Sequence, residues 1–64
     1  MDSIELMPGM IVQLKSGEPL MTIEIINNYD IYTPVCCVWF SANGNLRNGS
    51  FNYNVLKIVN SIVL

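Results

Sequence analysis

Few residues in this chain could carry chemistry, and their spacing does not favour it. There is no histidine, the side chain that most readily exchanges a proton near neutral pH. The two cysteines, Cys36 and Cys37, are adjacent. On a strand, neighbouring side chains point to opposite faces, so the pair forms no unstrained disulfide. A zinc site needs about four Cys, His or carboxylate ligands at suitable spacing, and one cysteine pair does not supply them. Thiol activation calls for a nearby cation, and none is close in sequence. Lys15 and Ser16 would diverge as strand neighbours, which leaves Ser16 as a turn residue rather than a nucleophile. Glu5, Glu18, Glu24 and Asp30 are scattered and read as solvated surface charge. No nucleophile elbow and no phosphate-cradling glycine loop is present. The expectation is a non-enzyme with no metal and no organic cofactor.

Aromatic residues are the remaining candidates. Trp39 and Phe40 are consecutive, so on a strand one points inward and the other outward. The outward ring could anchor a protein partner, since aromatics dominate interface hot spots; core packing is the competing role for either. Tyr29 and Tyr32 flank Asp30 in a polar segment. They could line a ligand groove or cover one end of the domain with wet hydroxyls. Tyr29, Tyr32, Trp39 and Phe40 are therefore the candidate partner-binding residues.

Charge restricts the partner. Three basic residues, Lys15, Arg47 and Lys57, stand against five acidic ones, for a net charge of −2 and a pI near 4.5. Nucleic-acid binding needs clustered cations to neutralise phosphates, and an anionic membrane surface asks for the same. Neither partner is expected. The N-terminal residues carry no basic or apolar leader pattern, and no stretch is apolar enough to span a bilayer. A cytoplasmic location is the expectation. At 64 residues, with 52% apolar and 12% charged residues, the chain is a single domain (residues 1–64) and not a disordered segment. A core of this size rarely supplies more than about 3–5 kcal/mol.

The elements that must hold these residues are short strands punctuated by turns. Residues 10–15 alternate, with Met10, Val12 and Leu14 on one face. Residues 16–19, Ser-Gly-Glu-Pro, break the strand. Residues 20–26 resume it, with Met21, Ile23 and Ile25 on one face and Thr22 and Glu24 on the other. Residues 27–30 form a polar loop. Residues 35–40, Val-Cys-Cys-Val-Trp-Phe, show no polar alternation, which predicts a central strand covered on both sides. Asn43-Gly44 predicts a type I′ hairpin turn, returning through residues 46–51, where Gly49 marks a bulge or a close approach, unless Asn48-Gly49 is itself the turn in a shifted register. Residues 52–54 suggest one helical turn, and residues 55–59 a last strand. Five strands in so short a chain predict an all-β fold, a small five-stranded SH3-like barrel whose closure removes exposed edges. Its expected core is Val12, Leu14, Met21, Ile23, Cys37, one of Trp39 and Phe40, Phe51, Leu56 and Ile58.

Two blocks carry a resemblance: residues 8–23, with the run Leu14-Lys15-Ser16-Gly17-Glu18-Pro19-Leu20-Met21-Thr22, and Cys37-Val38-Trp39-Phe40 with Phe51 and Leu56. The chain resembles the YodC-like family of small, uncharacterised bacterial and phage-associated proteins over residues 8–56. Met10 stands where that pattern has Asp, and Glu18 where it has the second glycine of the turn. The resemblance implies an SH3-like barrel and no activity.

The function expected is therefore a small non-catalytic binding module acting through protein–protein interaction. The alternative is a phage or mobile-element inhibitor that blocks a host protein or sequesters a small ligand. Residues 58–64 hold Ile58, Val59, Ile62, Val63 and Leu64. Such an apolar remainder predicts a homodimer through the C-terminal segment, against a tail folded over Trp39 or Phe40 in one subunit.

Overall fold

A computed structural model describes residues 6–60. Its element order is β1 (Ile11–Leu14), β2 (Leu20–Ile26), β3 (Val35–Phe40), β4 (Leu46–Phe51), a 3₁₀ turn (Tyr53–Val55) and β5 (Leu56–Asn60). The fold is all-β. All pairings are antiparallel, and the five strands form one sheet in the order β4-β3-β2-β1-β5. The closed barrel expected from the strand count is corrected here. β4 and β5 stand at the two edges and share no ladder, so the sheet is not closed by hydrogen bonds.

The inner face of the sheet carries the core: Met10, Val12, Met21, Ile23, Val35, Cys37 and Leu56 are buried. Leu6, Leu14, Ile26, Trp39, Phe51 and Ile58 pack around them. Met10 is buried in this core, and its Sδ accepts from the Met7 N–H at 3.1 Å.

Two register shifts bend the sheet. One lies between Ile23 and Ile25 on β2, where Ile23 pairs with Cys37 and Ile25 with Cys36. Glu24 is thus an extra residue on β2, a bulge, and it turns every later side chain to the other face. Ile25, expected inside with Met21 and Ile23, is instead 53% exposed, and Ile26 packs on the core. The second shift lies opposite Ile11 and Val12, which pair with Asn60 and Ile58.

The β3–β4 hairpin also departs from the sequence expectation. A type I′ turn requires positive φ at both Asn43 and Gly44. Gly44 has φ +84°, but no non-glycine residue among those described is positive. Gly44 N–H donates to Ser41 O and Ser41 N–H donates to Asn45 O, each at 2.8 Å. That is the three-residue turn closed by a glycine bulge, and it sets Phe40 opposite Leu46 and Trp39 opposite Arg47. Gly49 proves to be a close approach rather than a bulge, since β4 keeps its register throughout. A Cβ there would meet Phe51 Cζ at 3.2 Å and Trp39 Cη2 at 3.3 Å.

Candidate functional site

Parity on β3 decides where its two aromatic rings go. Val35, Cys37 and Trp39 face inward, and Cys36, Val38 and Phe40 face outward. Trp39 is half-buried and packs on Phe51, with ring centroids 6.1 Å apart and planes tilted by 51°. The glycine at position 49 leaves the space into which both rings close. Phe40 is 71% exposed. The expectation that β3 is covered on both sides is corrected: among the described residues nothing covers its outer face, because the single sheet has no second layer there.

A shallow apolar groove of about 410 Å³ is lined by the outward residues Ile11, Leu20, Thr22, Val38, Phe40 and Leu46, with the inward-facing Met21 and Trp39 contributing between them. No lining side chain is charged, and Thr22 alone is polar. Leu20 is 57% and Leu46 64% exposed. The pairing explains the groove's shape. Ile11, Thr22 and Val38 fall in one row across β1, β2 and β3, and Phe40 lies opposite Leu46. Leu20 follows directly from the Pro19 turn, and Leu46 from the hairpin loop, so both bracket the groove at strand starts.

The other two candidates lie elsewhere. Tyr29 and Tyr32 sit in the loop between β2 and β3, Tyr29 at 97% exposure. That loop is ordered by Asp30, whose Oδ1 accepts from the Tyr32 and Thr33 N–H groups at 3.0 and 2.9 Å. Its Oδ2 accepts from the Thr33 hydroxyl at 3.0 Å. These donors, the Thr33 N–H foremost, hold the Asp30 carboxyl below its ordinary range. Asn52 ties the loop to the 3₁₀ turn. Its Nδ2 donates to Tyr32 O at 2.9 Å, and its Oδ1 accepts from Asn54 N–H at 2.8 Å. The fold thus brings Trp39 and Phe40 to one groove and leaves both tyrosines outside its lining.

Leu20, Leu46, Ile11 and Val38 were absent from the sequence candidates. A signal existed for Leu20, which shares the alternation of Thr22 and Glu24, the outward set. Leu46 became legible only with the hairpin register.

The cysteines diverge as their adjacency requires. Cys37 is buried, and burial first, the Cys36 thiol second, pushes its pKa up to about 11. Cys36 is half-buried on the outer face, with its Sγ 3.5 Å from Ser50 Oγ. Among the described residues no group of three or more His, Cys, Asp or Glu side chains could hold a metal ion, and no helix is long and apolar enough to cross a membrane. Residues 61–64, on which the expected C-terminal dimer contact rests, lie outside the described residues.

No curated protein and no solved structure matches the chain significantly. The model of one family, described as an uncharacterized small protein, matches residues 8–56, both motif blocks included. The chain belongs to this DUF2158 family of uncharacterized small proteins.

Proposed function

We propose that the protein is a non-catalytic interaction module whose outer sheet face docks an extended, uncharged, apolar segment of a protein partner. The observation that carries this reading is the groove framed by Leu20, Phe40 and Leu46. Its walls are apolar, its rim holds a highly exposed aromatic ring, and contiguous apolar surface of this kind commonly marks an interface. A lining free of charge favours an apolar segment over a nucleic-acid backbone or an acidic peptide. The strand order β4-β3-β2-β1-β5, the bulged β2 and the 3₁₀ turn before β5 support an SH3-like arrangement around the core. The motifs in residues 8–23 support a YodC-like member of the family.

The test is an NMR titration of isotope-labelled protein with uncharged peptides that alternate Leu or Phe with Ser. Binding should move the amide signals of Leu20, Thr22, Val38, Phe40 and Leu46. Phe40→Ser should weaken binding by at least about tenfold, as loss of a central aromatic anchor does. Shifts confined to residues 27–34, or no saturable shifts at all, would overturn the groove as the binding face.

A further inference from the structure

The free edge of β4 has a directional pattern that follows from the hairpin. The Ser41–Asn45 pair is hydrogen-bonded, Ser41 N–H to Asn45 O at 2.8 Å. Bonded and non-bonded pairs alternate along an antiparallel ladder. With the register from Phe40–Leu46 to Val35–Phe51, residues Arg47, Gly49 and Phe51 spend their backbone groups on β3. Leu46, Asn48 and Ser50 therefore aim N–H and C=O outward, with no strand among the described residues to receive them.

Edges left this way template pairing unless something blunts them. At the opposite edge, β5 has Lys57 and a register shift. β4 has six residues, an unbroken register and no proline, and its one charged residue, Arg47, turns its backbone groups to β3 rather than to the free edge.

We propose that β4 pairs antiparallel with β4 of a second copy of this chain, on a two-fold axis through Asn48, to form a continuous ten-stranded sheet. A second copy is favoured because the strand is self-complementary in one register. Placing Asn48 against Asn48 of the copy sets Leu46 against Ser50 at both ends and joins all three outward residues on each side. The alternating pattern then gives six N–H···O bonds. On the inner face Arg47 lies against Gly49 of the copy, so no like charges meet. Sliding the register by one bonded pair toward the hairpin would set Arg47 against its own copy, which is unfavourable. Two-fold interfaces need this kind of self-complementarity. The proposal does not depend on the groove binding a partner, and Phe40→Ser should leave the dimer intact.

Light scattering at micromolar concentration should give twice the 7.2 kDa of one chain. In hydrogen exchange, the Leu46, Asn48 and Ser50 amides should be as protected as those of Arg47 and Gly49. Asn48→Pro should yield a folded 7.2 kDa monomer, because the N–H it removes serves no strand among the described residues and proline is tolerated on such edges. A monomeric wild type would overturn the proposal, as would fast exchange at all three outward amides. So would a dimer that survives Asn48→Pro and is lost on removing residues 61–64. Should Asn48→Pro fail to fold, the wild-type exchange pattern decides alone.

Discussion

The two faces of β3 are built from one six-residue run with no polar residue in it, yet they do different work. Inward, Val35 and Cys37 are fully buried and Trp39 closes on Phe51 over Gly49. Outward, Cys36 and Val38 are half-buried and Phe40 is open to solvent. Composition cannot separate the sets; only the neighbouring strands do. The inner set meets the buried residues of β1, β2 and β5, whereas among the described residues the outer set meets nothing beyond its own sheet. An apolar strand is therefore no proof of two covered faces, and the uncovered one is where a binding role is to be sought.

The largest effect that sharpens this comparison is at β2, where the bulge exchanges the faces. Ile23→Ala should cost about 2–5 kcal/mol through lost burial and a cavity, enough to unfold a core of this size. Ile25→Ala, two residues on, should change stability by no more than about 0.5 kcal/mol. Thermal unfolding by circular dichroism compares them, and equal losses would contradict the bulge at Glu24.

Gly49 tests the inner face from the other side. Gly49→Val should destabilise by about 1–3 kcal/mol, because the added carbons press on both rings. Urea unfolding followed by Trp39 fluorescence measures it.

The cysteines give a smaller, chemical contrast. At neutral pH a thiol reagent should add once per chain, at Cys36, as mass spectrometry would show. Cys37 is held as a thiol, its pKa raised from 9.0 to about 11. Its contribution to stability is complete below pH 9.0 and is lost as pH rises through 11, so unfolding should set in across that alkaline window.

The smallest expected effect lies in the tyrosine loop. Asp30 titrates below 3.8, so its support for the loop is complete at higher pH and fades as acid passes its lowered pKa. The Tyr32 and Thr33 amide signals should move with a midpoint below 3.8 while the sheet signals stay in place.

Much of this architecture was legible in the residues. Alternation and turn chemistry predicted β2, β3 and β4 with the ends observed, and each expected core residue packs in or against the core. Glu24 was not legible as a bulge, because a charged residue on the outward face fits simple alternation equally well. The hairpin type was not legible for a related reason. Asn-Gly serves both the two-residue turn and the longer one with a left-handed glycine. A two-residue turn would have set Phe40 against Arg47; the extra loop residue sets it against Leu46 and builds the groove wall. Tyr29 and Tyr32 were legible as exposed loop residues, but the groove's aliphatic walls depend on register across four strands, which no local window contains.

Trp39 and Phe40 meet at one groove but divide the work in the proposed function, Trp39 holding the fold through Phe51 and Phe40 serving as the exposed anchor for binding. Urea unfolding of Trp39→Ala and Phe40→Ser, each paired with the apolar-peptide titration, tests this division directly. Trp39→Ala should lose about 2–4 kcal/mol of stability, while Phe40→Ser should keep its unfolding midpoint and lose peptide binding. Phe40→Ser that unfolds as readily as Trp39→Ala, or that binds peptide as the wild type does, would contradict the division.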